Sequence, residues 1–466
     1  MKKELDFTRI HRFVFDDVHI MLDVNSGSVH VTDEAVDAFL DALEEGQGWD
    51  DAIAITAKTY GEEDAKDIAE GIEYLIDEGM LFSDVDFGDY TPHTQPIVKA
   101  MCLHMAHDCN LRCGYCFADT GAYGGGRSLM SLEVGKKAID FLMEASKHRT
   151  HVEIDFFGGE PLLNMDVCKQ VAEYAKEKAA EKGKIVKMTM TTNGVLLDDA
   201  CAAWLNEEEM DAVLSLDAPP LVHDIMRRFA GGQPSYEVCK NHFQKFVDGR
   251  DHKQYYLRGT YTHFNPDFAK DAIHMADDLG FKELSLEPVV GPKELPYTLT
   301  EEDKPVILEN YNILARHYLQ RWREGKGYNF FHFNVDFTGG PCLPKRLSGC
   351  GSGHDYLAVS PEGDLYPCHQ FVGEEDYKMG TVFTGIEKPE IAERFQKANV
   401  LTKPTCMKCW ARFFCSGGCH ANNIRYGGGI NEPYEYGCDL QRKRIEAAIY
   451  VQTVKMLESA EGGEDQ

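Results

Sequence analysis

The 466-residue chain contains no apolar run of about 18 residues or more, which excludes an ordinary membrane-spanning helix. The N-terminal stretch MKKELDFTRIHRFVFDD meets acidic residues before any apolar core could form, so it does not read as a secretory signal. Basic residues are scarce. Against 77 Asp and Glu there are 48 Lys and Arg, a formal net charge of −29. Such a balance repels phosphate and argues against nucleic acid or an anionic membrane surface as a partner. No internal repeat is visible. A cytoplasmic location is the expectation.

What the chain does have is an ordinary globular composition, 43% hydrophobic and 27% charged, at a length that suits two or three domains. It also has 15 cysteines. An odd number in a chain without a secretion signal points to metal binding or catalysis more than to a disulfide framework.

Three segments are legible. Residues 1–90 hold 24 acidic and 6 basic residues, so 18 of the 29 excess negative charges lie there. Within them HRFVFDD, VHIMLDV and SVHVT read as strands, with a turn at Asn25–Gly27. Three helices follow, the first capped by Thr32 or Asp33. This is a small winged-helix-like module. From about residue 97 strands and helices alternate, in six βα units: IVKAMCLHMA, VEIDFF, VKMTMTT, DAVLSLD, YYLRGTYT and ELSLEPVV are the strands. The fold class is therefore α/β, with a parallel sheet curled into a complete or partial barrel and the chemistry at the C-terminal strand ends. Residues 340–440, rich in Gly, Pro and Cys, need something other than an apolar core to hold them, and metal is the candidate. A last helix ends in the acidic tail EGGEDQ, expected to be disordered.

After the first barrel strand, HDCNLRCGYCF places Cys109, Cys113 and Cys116 in the order C-x3-C-x2-C around Tyr115. Three thiolates on one loop can ligate three irons of a 4Fe-4S cubane and leave the fourth iron open. The alternative, structural zinc, wants four ligands. The stretch resembles the signature of radical S-adenosylmethionine (SAM) enzymes. The resemblance implies that the open iron chelates SAM and that one electron cleaves it to methionine and a 5′-deoxyadenosyl radical, which abstracts a substrate hydrogen atom.

Other motifs resemble the same family. Gly158, Gly159, Glu160 and Pro161 match its GGEP motif, in which glycines allow close backbone approach and a carboxylate can accept from the SAM ammonium. TTNG, with Thr192 and Asn193, and SLD, Ser215 to Asp217, resemble ribose and SAM contacts; Ala218 stands where glycine often follows SLD. Arg258 resembles the basic partner of the SAM carboxylate. Leu286, in LEP, is a candidate support for adenine, or an ordinary strand end. HDIMR, with His223, Asp224, Arg227 and Arg228, supports the SAM loop or forms a structural ion pair. No catalytic base is identified.

Near the C-terminus CMKCWARFFCSGGC sets Cys406, Cys409, Cys415 and Cys419 in the order C-x2-C-x5-C-x3-C, flanked by Cys350, Cys368 and Cys438. This layout resembles the SPASM extension of peptide-modifying radical SAM enzymes, which carries two auxiliary 4Fe-4S clusters. By that similarity Cys350, Cys368, Cys419 and Cys342 fall to the first cluster, and Cys406, Cys409, Cys415 and Cys438 to the second. If Cys342 does not ligate, the first cluster has a vacant site for a substrate thiolate. Cys102, Cys168, Cys201 and Cys239 read as buried small residues.

The implied division is 1–90, a PqqD-like leader-peptide recognition module; 91–325, a partial (β/α)6 radical SAM barrel; 326–440, the SPASM extension; and 441–466, a C-terminal helix and tail. Modules similar to the first add a leader peptide as an edge strand, and its acidic excess favours a basic leader. LDVNSGSVHV, HDCNLRCGYCFADTGAYGG and RLSGCGSGHDYLAVSPEGDLYPCHQFVG look like the maturases of SCIFF peptides, which form thioethers between a cysteine sulfur and a residue carbon, commonly of threonine. The implied cofactors are SAM and three 4Fe-4S clusters. The implied partners are a ribosomally made cysteine-rich precursor peptide with a leader and a reductant such as ferredoxin or flavodoxin. Sactipeptide-type and sulfatase-type maturation are the alternatives within the class; an iron-sulfur electron carrier that binds peptides is the alternative outside it.

Overall fold

A computed structural model describes residues 5–84, 97–337 and 343–461. The expected boundary at residue 90, the ligand Cys342 and most of the acidic tail lie outside the described residues.

Three antiparallel strands open the chain: β1 (Ile10–Phe15), β2 (Val18–Asp23) and β3 (Val29–Thr32), ordered β1-β2-β3. Helices α1 (Glu34–Glu44), α2 (Trp49–Tyr60) and α3 (Glu62–Asp77) cover one face of that sheet. Asp33 caps α1 by accepting from the Ala35 and Val36 amides. The turn that follows β2 is fixed from within, because the buried Asp23 carboxylate accepts from the amides of Ser26 and Ser83. The other face is not free. Phe15 stacks on Tyr450 at 4.0 Å and His11 on Trp410 at 3.7 Å between ring centroids, so the module is seated on the C-terminal helix (Glu435–Glu461) and the extension.

Six parallel strands then alternate with helices as the periodicity requires. They are β4 (Ala100–Ala106), β5 (His151–Gly158), β6 (Ile185–Thr192), β7 (Asp211–Ser215), β8 (Tyr255–Tyr261) and β9 (Glu283–Pro288). Helices α4 (Leu132–Ala145), α5 (Met165–Glu181), α6 (Asp199–Glu207), α7 (Pro220–Met226) and α8 (Tyr236–Asp248) occupy the connections between β4 and β8. Outward residues such as Ile154, Met190, Leu214 and Leu284 bury into one core with these helices. Lumen residues, including Asp155, Ser215, Arg258 and Glu287, are the polar alternates on the same strands.

Two features go beyond the six expected units. A long helix, α9 (Lys304–Arg323), leads into β10 (Asn329–Phe330), which pairs parallel with β9, so strand pairing continues past residue 325. At the other edge β11 (Tyr356–Val359), from the cysteine-rich extension, pairs parallel with β4 in the register Tyr356↔Ala100 to Val359↔Leu103. Three short antiparallel strands follow β11, making one sheet of eleven strands. No helix among the described residues is long and apolar enough to cross a membrane.

Candidate active site

The first cysteine loop leaves β4 at the C-terminal mouth of the barrel, and the neighbouring strand ends hold it in place. Gly158 and Gly159 follow β5. Gly158 has a φ of +121°, and a Cβ there would lie 2.4 Å from the Ala106 carbonyl oxygen; one on Gly159 would lie 2.2 Å from that of Asp108. Only bare Cα atoms let the β5 turn press against the segment leading to Cys109. Glu160 is wholly buried and accepts from the Thr192 hydroxyl at 2.8 Å and the Asn193 and Leu162 amides at 2.8 and 3.1 Å. Burial outweighs those donors and pushes its carboxyl up to about 7. The two motifs GGEP and TTNG are thus clamped together. Asn193 reaches across to the loop, its Nδ2 lying 3.5 Å from Cys109 Sγ and 2.7 Å from Asn110 Oδ1. Pro161 begins a short 3-10 turn into α5.

A second clamp comes from SLD. Buried Asp217 accepts from the Tyr115 hydroxyl, from Arg227 Nε at 3.0 Å and from the Thr260 amide at 2.8 Å. Tyr115 belongs to the cysteine loop, so one carboxylate joins that loop, β8 and the HDIMR segment. Of the two readings of HDIMR, Arg227 forms the ion pair, while the Asp224 carboxylate accepts from the first amides of α8. His223 is buried, with Nδ1 near the Asp217 backbone and Nε2 3.0 Å from the Ser235 hydroxyl.

Cys109, Cys113 and Cys116 are half-buried and near enough to perturb one another's ionisation. Burial pushes the Cys109 thiol up to about 12 and Cys113 to about 11. A bound metal that stabilises thiolates would reverse that preference. The Leu111 amide at 3.4 Å and Asn193 Nδ2 already donate toward Cys109 Sγ. Among the described residues no three His, Cys, Asp or Glu side chains converge tightly enough to hold a single metal ion. The cysteines gather more loosely, and the all-thiol donor set fits a polynuclear iron-sulfur group.

Two further sets form in the extension. Cys350, Cys368 and Cys419 are mutual electrostatic neighbours; Cys406, Cys409, Cys415 and Cys438 are another such set. Consecutive cysteines of the GGC turn, Cys415 and Cys419, thus go to different sets. Cys102, Cys168, Cys201 and Cys239 are buried, and of these Cys102 has Cys368 as an electrostatic neighbour.

Within the barrel lumen Arg258 lies beside Ser215 on the neighbouring strand and makes no hydrogen bond or ion pair among the described residues. It lies in the field of the Glu287 carboxylate, and its donors remain available to a further anion. Leu286 behaves differently: its side chain packs outward, near Met275, in the core behind the sheet, so only its backbone faces the lumen.

Several lumen residues form a network whose partners a reading of the sequence does not bring together. Arg444 donates to His332 Nδ1 at 2.7 Å, and a guanidinium cannot accept, so the imidazole proton sits on Nε2 and points at Glu287 Oε1 at 2.9 Å. Burial alone would raise the Glu287 carboxyl, but His332, Arg258 and Arg444 together hold it well below the usual range. His369, next to Cys368, sits between Phe117 of the first cysteine loop and Phe157 of β5, with ring centroids 5.6 and 5.1 Å away. Adjacency to a cysteine was the one available signal for His369; in the Glu287–His332–Arg444 network only Glu287, inside LEP, had one.

Residues 103–296 match the profile of the Radical SAM superfamily. Over those residues the barrel is similar to a radical SAM domain. Over 333 residues the chain is 24% identical to the cysteine-type anaerobic sulfatase-maturating enzyme of Clostridium perfringens (strain 13 / Type A), covering 67% of this chain and 85% of that enzyme. A 138-residue stretch is 28% identical to the uncharacterized protein MJ0907 of Methanocaldococcus jannaschii, of which it spans 45%. Among solved structures, native anSMEcpe with bound AdoMet and Kp18Cys peptide superposes with a TM-score of 0.64 at 20% identity, covering 76% of this chain and 98% of that one. At that identity the likeness establishes a shared fold. The matched segment contains the cysteine loop framed by Glu160, Asn193 and Asp217.

Proposed function

We propose that the chain is a radical SAM maturase that forms thioether cross-links, from cysteine sulfur to a residue carbon such as that of threonine, in a ribosomally made cysteine-rich peptide of SCIFF type. The observation that carries this reading is the gathering of ten cysteines into three sets, one at the barrel mouth and two in the extension beside it. When bound, a reduced 4Fe-4S cluster with SAM supplies a 5′-deoxyadenosyl radical. Around it this chain's residues orient and shield. Tyr115, Asp217 and Asn193 hold the loop of Cys109, Cys113 and Cys116; Gly158–Pro161 and Thr192 shape its floor. Arg258 is the open cation for the SAM carboxylate, and Ser215 and the Leu286 backbone line the same lumen. Each link removes one hydrogen atom from the acceptor carbon, which ends in 5′-deoxyadenosine, and one proton from the thiol, while the remaining electron would pass to an auxiliary cluster held by the cysteines of the extension.

Cys350, Cys368 and Cys419, with Cys342, are assigned to the first auxiliary cluster, and Cys406, Cys409, Cys415 and Cys438 to the second. Residues 1–90 are assigned to the leader. Support comes from a cavity of about 400 Å³ beside β1, lined by Phe13, His11 and the α1 carboxylates Asp37, Asp41 and Glu44, although Arg12 already occupies those acids in ion pairs. Among the described residues the outer edges of β1 and β3 have no strand partner, as strand addition requires. Sulfatase-type maturation is the second reading, favoured by the Clostridium perfringens relative. Against it, the anSMEcpe structure is matched over nearly its whole length yet leaves about a quarter of this chain without a counterpart.

Anaerobic incubation with SAM, a reductant and a cysteine-rich peptide tests the reading by mass spectrometry. Release of 5′-deoxyadenosine together with paired hydrogen loss from the peptide is expected. Formylglycine in a sulfatase peptide would favour the second reading, and no SAM cleavage by iron-loaded protein would sink both.

A further inference from the structure

Lys403 lies three residues before Cys406, and none of it reaches solvent. Its Nζ donates to the Gly417 carbonyl at 2.7 Å, an oxygen that also accepts from Asn423 Nδ2 at 3.1 Å. The lysine stem runs over the bare Cα of Gly417, where a Cβ would approach Nζ to 3.1 Å. Gly417 sits between Cys415 and Cys419, the two cysteines that diverge into different sets.

An ammonium has three donors, and this one forms no ion pair with a carboxylate among the described residues. Its neighbours behave otherwise. Arg442 pairs with Asp439 and Arg425 with Glu374. A fully buried cation without an anion is among the least favourable arrangements in a protein interior. The groups that surround Lys403 and can become anionic are thiols: Cys406, Cys415 and Cys438 from one set and Cys419 from the other. Burial pulls its proton affinity down, and those four thiols push it back up.

We propose that Lys403 is the shared counter-cation of the two auxiliary cysteine sets, a positioning residue that pins the Gly417 turn between them and makes the clusters they hold easier to reduce. This rests on the reading that each set holds a 4Fe-4S cluster. The sign follows from charge. Reduction adds an electron to an already anionic group, so a buried cation nearby favours the reduced form, and removing it lowers the potential.

Lys403→Met keeps the length and loses the charge. The experiment compares reconstituted wild-type and variant protein by iron content and by redox titration followed with electron paramagnetic resonance. At equal iron content both auxiliary signals should shift toward lower potential by about tenfold in the oxidised-to-reduced ratio, 59 mV for one electron. The signal of the SAM-binding cluster should stay in place. Unchanged or higher auxiliary potentials at full iron content overturn the assignment of Lys403. Should Lys403→Met fail to retain extension iron, Lys403→Arg decides: retention by the arginine upholds the charge role, and equal loss in both overturns it in favour of packing. Wild-type protein that binds iron for a single cluster fails differently, since it removes the auxiliary-cluster reading itself.

Discussion

The barrel and the extension both gather cysteines, but they hold them by opposite means. At the barrel mouth all three thiols come from one loop, and that loop is fastened by buried carboxylates: Glu160 through Asn193, and Asp217 through Tyr115. Its strands and helices share a continuous apolar core, which also takes in Leu357 and Val359 of the extension. In the extension the thiols arrive from segments between Cys350 and Cys438, regular structure is short, and the framing residues are cations, Lys403 and Arg442 among them. One cysteine set is thus mounted on long strands and helices, whereas the other two sit among short elements.

The comparison breaks most visibly at the ligands. Cys109→Ala should abolish 5′-deoxyadenosine release while leaving the thermal midpoint almost unmoved. Cys406→Ala should spare SAM cleavage more than cross-linking, and it should lower the midpoint. Equal losses of both activities in Cys406→Ala would mean that the extension is mainly a structural support. Chelation sharpens the contrast further. After iron removal, hydrogen exchange should rise through residues 343–435 and stay low in β4 to β9; uniform exposure of both regions would contradict the difference in mounting.

A smaller effect tests the carboxylate clamp. Asp217→Asn removes the charge facing Arg227 and should cost about 3–5 kcal/mol in denaturant unfolding, the usual penalty for breaking a buried ion pair from one side. A loss under about 1 kcal/mol would show that the clamp is not what secures the loop. The smallest effect is one of pH, on the far side of β8 from the cysteines. Asp271 is buried, with Oδ2 accepting from Asn265 and Oδ1 unpartnered. Burial pushes its carboxyl from 3.8 up to about 7. The folded form therefore keeps a proton that the unfolded chain releases, so its contribution is full below pH 3.8 and is lost as pH rises through about 7. Asp271→Asn should flatten that fall in the unfolding free energy by about 1 kcal/mol or more, and an unchanged slope would locate the pH dependence elsewhere.

The same contrast explains what the sequence made legible. Strand and helix alternation in the barrel is periodic, so all six expected strands occur where the pattern places them, and C-x3-C-x2-C is a local spacing that survives folding. The extension has neither advantage. Tyr356–Val359 is a four-residue strand with no alternation to betray that it joins β4. Glu287, His332 and Arg444 stand far apart in the chain, and their meeting depends on the C-terminal helix crossing the barrel. Lys403 reads as an ordinary surface lysine in a cysteine-rich run, because sequence shows residue type but not burial. Leu286 shows the converse limit: a motif position can be located while the direction of its side chain cannot.

β11 lies against β4, whose seven residues from Ala100 to Ala106 are all buried. Remove the extension, and that strand becomes a long, flat, apolar border with open amide and carbonyl groups, a template for joining other chains. A truncated barrel ending near residue 337 should therefore come out of expression as aggregate, not as a smaller enzyme. The extension is a stopper as well as a cysteine carrier, which makes it hard for evolution or an engineer to subtract.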